Sequence, residues 1–297
     1  MSLAVFNAFR EVFRKEGVIF LKNLDEVHAL FGDEWAEDFG SHLERLFGND
    51  ENAYRNAMRG YAKFSLDAMR LQTVFNRKHQ YETQSYEEAC QKVYMNEDFM
   101  MNLYLPGIFI SQFLWRHHYR QIQFYRHKFL PRLENSSDKR FYDVGTGTGF
   151  YSVQVFRHHP DFHGFGIDIS PHARLFTTKH VEGWGFGSSF TPMNVNILEN
   201  TLEPVSCVQS IEVLEHLSDP QLFLTHLRRL LKPGGYGFVA AAITAPEADH
   251  IYLYWSADDV IRQLETAGFS VLEYQEEPGY TGRDGEIVPK VAAFIVQ

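Results

Sequence analysis

Cysteine is scarce in this 297-residue chain. Cys90 and Cys207 are too few for a disulfide framework, and neither lies in a metal-type CxxC pair. That usage points to a reducing compartment, the cytoplasm by default. Long apolar runs are lacking as well. The most membrane-like stretch, Phe99 to Trp115, is shorter than a span and is broken by Asn102, Pro106, Ser111 and Gln112, so no membrane segment is expected. The opening MSLAVFNAFREVFRKEG mixes charges among its apolar positions and lacks the unbroken core and cleavage site of a signal peptide. Basic residues are in deficit: 28 Lys and Arg face 38 Asp and Glu, for a formal charge of −10. The imbalance lies in residues 138–297, with 11 basic against 20 acidic side chains. An acidic surface repels phosphate, which argues against a large nucleic-acid partner. No internal repeat and no low-complexity tract is present.

Apolar and aromatic residues, by contrast, are plentiful at 44% and 15%, enough for well-packed cores in a chain of this length. From Val5 to about Leu133 apolar residues recur at helical spacing, as in Phe6, Phe9, Val12 and Phe13, which predicts five or six helices. Val18–Leu21 is the one short run that reads as a strand or a buried turn. Asn49–Asn52 is a polar break, and Pro106-Gly107 marks a kink or a helix start. The polar stretch Glu134–Lys139 is followed by a complete change of period, placing a boundary near Ser137 between a helical unit, 1–137, and a second unit, 138–297. Beyond it, strand-like segments (Arg140–Val144, His163–Ile167, Gly187–Met193, Val205–Ile211, Gly235–Ile243) alternate with helix-like ones. Phe269–Tyr274 and Val288–Val296 follow as a last strand pair. This is the pattern of an α/β fold, a doubly wound and mostly parallel sheet with an antiparallel edge, which binds ligands at the carboxyl ends of its strands.

The strongest local signal is Phe141-Tyr-Asp-Val-Gly-Thr-Gly-Thr-Gly149, an apolar strand running through three alternate glycines into a helix. Glycine permits a tight turn and close backbone approach to a ligand. The next strand ends in Asp168, placed to meet the ribose of a nucleotide. Dinucleotide folds use G-x-G-x-x-G, whereas here Gly145, Gly147 and Gly149 alternate behind Asp143. That pattern resembles the first motif of class I S-adenosylmethionine-dependent methyltransferases, D/E-x-G-x-G-x-G. The resemblance covers about residues 138–297. It includes Ile211-Glu-Val-Leu-Glu-His216 after the fourth strand and Leu230-Leu-Lys-Pro-Gly-Gly235 before the fifth. It implies a Rossmann-like methyltransferase sheet with an N-terminal helical cap, and S-adenosylmethionine as cofactor. Asp143, Gly145, Thr146, Gly147 and Gly149 would cradle the methionine moiety, and Asp168 with Ile169 would hold the ribose. An Asp commonly meets the adenine amine after strand three; this sequence departs from that, offering Asn194, Val195 and Asn196.

The sulfonium is already activated, so methyl transfer needs chiefly an in-line acceptor and exclusion of water. A base is needed where the acceptor carries a proton. His216 is the leading candidate, with Glu212 and His250 beside it at the same sheet edge, though Glu212 and His216 also suit a purely supporting role for loop and cofactor. The spacing of Glu212, Glu215, His216 and His250 further suits a divalent ion such as Mg²⁺ or Mn²⁺. In this it is similar to the metal-dependent O-methyltransferases of ubiquinone biosynthesis and of small-RNA 3′ ends. The aromatic and basic stretch from Phe99 to Leu133 reads either as helix core with a solvated face or as a lid over a small-molecule acceptor, with a hydroxyl favoured. The pairs His117-His118 and His158-His159 occupy adjacent helix positions that face apart, so neither reads as a metal site. Two alternatives stay open: a cofactor-binding protein without turnover, and a nicotinamide-dependent oxidoreductase, which the glycine spacing disfavours. The acceptor and the oligomeric state are not legible.

Overall fold

A computed structural model describes residues 2–82 and 85–297. Helix α1 (Ser2–Glu16) buries Val5, Phe6, Phe9, Val12 and Phe13, the stripe that a 3.6-residue period lays along one face. The run Val18–Leu21 is not a strand or a buried turn: it forms the first turn of α2 (Val18–Phe47), with Val18 and Ile19 exposed and Phe20 buried. Phe20, Leu24 and Val27 keep the helical period there, and that period overrides the β-branched local preference. α2 bends at Gly32, whose φ is +78°. Helix α3 (Glu51–Lys78) begins at the polar break, where the Asp50 carboxylate accepts from the Asn52 amide at 2.9 Å and satisfies an otherwise orphaned donor.

Two short helices, α4 (Tyr86–Ala89) and α5 (Glu97–Phe99), each pass into a π-helical turn, Cys90–Tyr94 and Met100–Tyr104. The second runs directly into α6 (Leu105–Leu114), nearly all of which is buried. Of the stretch from Phe99 to Trp115, Leu103 to Leu114 is thus largely interior to the protein, and no described helix is long and apolar enough to cross a membrane. Helix α7 (Arg116–Phe124) continues through a third π turn, Tyr125–Phe129, to Leu133.

From Arg140 strands and helices alternate: β1 (Arg140–Val144), α8 (Phe150–His158), β2 (His163–Ile167), α9 (Pro171–Gly183), β3 (Phe190–Met193), β4 (Val205–Ile211), α10 (Pro220–Arg229), β5 (Leu231–Ile243), α11 (Ala257–Thr266), β6 (Val271–Pro278) and β7 (Lys290–Val296). They form one seven-stranded sheet in the order β3-β2-β1-β4-β5-β7-β6. Strands β1 to β5 pair in parallel, whereas β7 is antiparallel to both β5 and β6. The reversed strand therefore lies inside the sheet, and β6 forms its edge. Strand order reverses between β1 and its neighbours β2 and β4, the switch point where such sheets open a crevice.

The change from helices to sheet falls between Leu133 and Arg140, yet one apolar core runs across it. Phe39 stacks on Phe113 at 4.4 Å, Phe113 meets Phe150 edge-on at 5.6 Å, and Tyr125 meets Phe238 at 4.8 Å. Each buried aromatic of this kind contributes about 2–3 kcal/mol. Helices α10 and α11 cover the opposite face of the sheet with a second cluster that includes Leu224, Leu227 and Val260. Ion pairs fasten the seam, with Arg157 to Asp38 at 2.7 Å and Arg120 to Glu277 at 2.9 Å.

Candidate active site

The carboxyl ends of β1, β2 and β4 open into a cavity of about 410 Å³, roofed by helices α3 to α7. The glycine turn forms its floor. Gly145, Gly147 and Gly149 have φ of +74°, +52° and +69°, values that L side chains rarely adopt. A Cβ on Gly145 would lie 2.4 Å from Val213, and one on Gly149 would lie 2.7 Å from Thr177. Gly145, Thr146 and Gly147 line the cavity, while Gly149 lies behind it and serves the close packing of α8 against α9.

Two carboxylates fix this turn. Asp143 is buried and accepts from Thr146 Oγ1 at 3.0 Å and Ser152 Oγ at 2.6 Å. Burial pushes its carboxyl up to about 6. Asp168 accepts from the Gly147 amide at 3.0 Å and the Ser170 amide at 2.9 Å, tying the glycine turn to the end of β2. Burial raises its carboxyl as well, against the pull of those amides. Ile169 and Val195 line the cavity beside it. Of the two asparagines after β3, Asn196 lines the cavity, whereas Asn194 accepts from Arg174 at 3.0 Å.

The Glu-x-x-Glu-His segment follows β4. Glu212 stands at φ +53°, a conformation costly for a side chain with a Cβ, and lines the cavity. Gln121 donates to it at 3.4 Å, and His118 Nε2 lies 3.7 Å away. Burial raises the Glu212 carboxyl to about 7. Glu215, His216 and His250 gather one ligand atom each within 4.8 Å of one another. Glu212 does not belong to this group and turns instead toward α7. Both Glu215 carboxylate oxygens are buried without a hydrogen-bond partner, and burial pushes this group too up to about 7. Buried polar atoms are nearly always paired, so an orphaned carboxylate beside two imidazoles fits a cation-binding position. His250 Nδ1 donates to the Ala245 carbonyl at 2.5 Å, leaving Nε2 as the lone-pair nitrogen. Burial drives His250 down to about 3. Desolvation pulls His216 down, but the Asp249 carboxylate, 3.2 Å from its Nδ1, together with Glu215 and Glu212 outweighs that and raises it.

Residues 114–242 match the family described as a methyltransferase domain. Similar curated proteins are the ubiquinone biosynthesis O-methyltransferases of Sinorhizobium fredii, 28% identical over 125 residues, and of Cereibacter sphaeroides, 33% identical over 96 residues. The first match covers 42% of this chain and 49% of the relative; the second covers 32% and 38%. This chain thus spans about half the length, or less, of these relatives. The mitomycin 7-O-methyltransferase MmcR shares the fold with a TM-score of 0.54, over 81% of this chain and 71% of that one, at 14% identity. PigF, solved with SAH, shares it at 0.55, over 84% and 76%, at 12% identity. Residues 114–242 of this chain thus carry a methyltransferase domain.

Around this methyltransferase domain the structure gathers residues that the motifs did not single out. His118 and His117 do not face apart: their rings lie 4.4 Å from each other, and His118 lines the cavity. Ser111 Oγ donates to the Ile108 carbonyl at 2.8 Å and so accepts from His118 Nδ1 at 3.1 Å. That leaves the His118 Nε2 lone pair toward Glu212. Asp249, fully buried beside His216, was likewise unmarked in the sequence. Pro106 and Gly107 lie in the first turn of α6, the helix start that this pair marked in the sequence.

Proposed function

We propose that the protein transfers the methyl group of S-adenosylmethionine to a hydroxyl of a small molecule enclosed between the helical layer and the carboxyl edge of the sheet. The carrying observation is a single cavity in which the glycine turn, the Glu212–His216 segment and an aromatic wall from the helices meet. Asp143 and the three glycines hold the turn around the methionine end, Asp168 and Ile169 face the ribose, and Val195 and Asn196 flank the adenine. Phe64, Tyr94, Tyr104 and Trp115 supply apolar walls that exclude water from the acceptor. Residues 1–137 act as the cap of this proposal, packed firmly on residues 138–297 through their shared core.

Acceptor chemistry falls to Glu212, His216 and His250. Glu212 and the His118 lone pair both suit a hydroxyl hydrogen that must leave as the methyl arrives. Glu215, His216 and His250 would hold a divalent ion, Mg²⁺ or Mn²⁺, which would supply a positive centre that lowers the pKa of the hydroxyl and orients it. His216 stands between these two roles, as proton acceptor without the ion and ligand with it. A cytoplasmic setting suits two free thiols, one of them buried.

The test is calorimetric titration with S-adenosylmethionine, S-adenosylhomocysteine, NAD⁺ and NADP⁺, followed by radiolabelled methyl transfer to a panel of phenols and catechols with and without exhaustive chelation. Micromolar binding of the sulfur nucleotides alone, at least about tenfold weaker in Asp168→Ala, together with label transfer to a hydroxyl, supports the reading. Nicotinamide binding overturns it. Binding without transfer to any acceptor favours a protein without turnover, and transfer unchanged by chelation removes the ion.

A further inference from the structure

The glycine turn is also held from a direction that the motif does not indicate. On α9, His180 Nδ1 lies 2.9 Å from the carbonyl oxygen of Thr148, inside the turn. A carbonyl can only accept, so Nδ1 carries the hydrogen and His180 Nε2 carries the lone pair. That lone pair is met at 3.0 Å by His42 Nδ1, from α2 of the helical layer. His42 Nδ1 must therefore donate, and its Nε2 accepts from Gln154 and Arg157, both at 3.3 Å. The chain of donors runs in one sense, Gln154 and Arg157 to His42 to His180 to Thr148. Both imidazoles are completely buried, and Thr177 of the same helix fastens the neighbouring Gly147 carbonyl at 2.8 Å.

We infer that His42 and His180 are positioning residues for cofactor binding, a relay by which a helix of the cap holds the S-adenosylmethionine turn in its binding conformation. This rests on the cofactor assignment made above. The relay works in one protonation state. Adding a proton to either ring sets two N–H groups against each other across 3.0 Å, or puts an uncompensated charge in the core. The charged groups facing His42 do not relieve this. Asp38 on its own helix is 3.9 Å from His42 Nε2, yet it is already paired at 2.7 Å with both Arg126, from the π turn after α7, and Arg157, from α8. His180 on α9 is the remaining titratable neighbour, and the ring faces are closed by Phe150 and Trp184. Burial holds His42 well below its ordinary range and His180 down to about 4. A turn released from the relay frees both rings to titrate normally, so acid favours the released state. Apparent cofactor affinity then falls with the fraction that remains competent.

The test is calorimetric binding of S-adenosylhomocysteine to the full chain between pH 8 and pH 5.5, with circular dichroism confirming that each sample is folded. Three proteins are compared: wild type, His42→Gln and His42→Phe. Glutamine retains a donor for His180 and does not titrate; phenylalanine removes the donor. Wild type is expected to lose about tenfold in affinity toward pH 5.5. His42→Gln should bind within a few-fold of wild type at pH 8 and lose less toward acid. His42→Phe should be about tenfold weaker at pH 8. Asp143, whose carboxyl titrates near 6 in the same turn, is common to all three proteins and cancels in the comparison. Equal pH profiles for wild type and His42→Gln, or unimpaired binding by His42→Phe, overturn the relay. Absence of binding by wild type at pH 8 instead overturns the cofactor assignment. If His42→Phe does not fold, the profile of His42→Gln decides alone.

Discussion

The Tyr104 hydroxyl donates to Asp249 at 2.6 Å, joining the π turn in front of α6 to the carboxylate that stands 3.2 Å from His216 Nδ1. Both side chains are buried, and Tyr94, which ends the other π turn, is pushed up by burial and by the same carboxylate. Two irregular turns of the helical layer thus converge on one buried charge. π turns are frequent at functional positions because they displace a side chain from its helical register.

Tyr104→Phe keeps the ring and deletes the bond. Leaving a buried carboxylate short of a donor costs about 1–3 kcal/mol. Urea unfolding should register that loss, with S-adenosylhomocysteine affinity unchanged, because Tyr104 does not touch the glycine turn. A variant as stable as wild type would mean that the carboxylate finds another donor.

The sheet was legible in the sequence because its signals are local. The limits of β1, β2, β4 and α8 follow directly from apolar runs and the glycine turn. At β3 the expected strand from Gly187 starts only at Phe190, since Gly187–Ser189 forms a single 3-10 turn. The helical layer was legible as helices but not as partners, because period alone does not say which face meets which. His118 illustrates the limit. Adjacent positions on a regular helix diverge, but α7 starts immediately after Trp115, which leaves the helical region at ψ 117° and packs against both histidine rings. His42, one polar residue inside an apolar stripe, carried no sequence signal at all.

Glu212 gives a pH-dependent prediction whose sign can be worked out. Its folded carboxyl lies near 7, above the ordinary value of 4.5, so the folded state binds the extra proton between those values. The charged form therefore costs stability above pH 7, and the cost is relieved as pH falls toward 4.5. Its side chain keeps 24% of its surface open to the cavity, which reduces the penalty to about 1–2 kcal/mol. Glu212→Gln should raise the melting temperature at pH 8 and leave it nearly unchanged at pH 5, while methyl transfer falls. An equal shift at both pH values would assign the gain to packing instead of charge.

Gly149 and Gly185 separate two reasons for a glycine. Both have positive φ, +69° and +86°, but a Cβ on Gly185 would meet nothing within 4 Å, whereas one on Gly149 would lie 2.7 Å from Thr177 Cγ2 and 3.2 Å from its Cα. Gly185→Ala should therefore cost only backbone strain, about 1–2 kcal/mol. Gly149→Ala adds an overlap with α9 that a rotamer change cannot remove, because the nearer contacts include backbone, and overpacking adds about 1–3 kcal/mol. Since Thr177 also fastens the Gly147 carbonyl at 2.8 Å, pushing α9 away should loosen the turn as well. Gly149→Ala is expected to weaken S-adenosylhomocysteine binding about tenfold or more, and Gly185→Ala to leave it alone. Equal binding by the two variants would mean that α9 and the turn move independently.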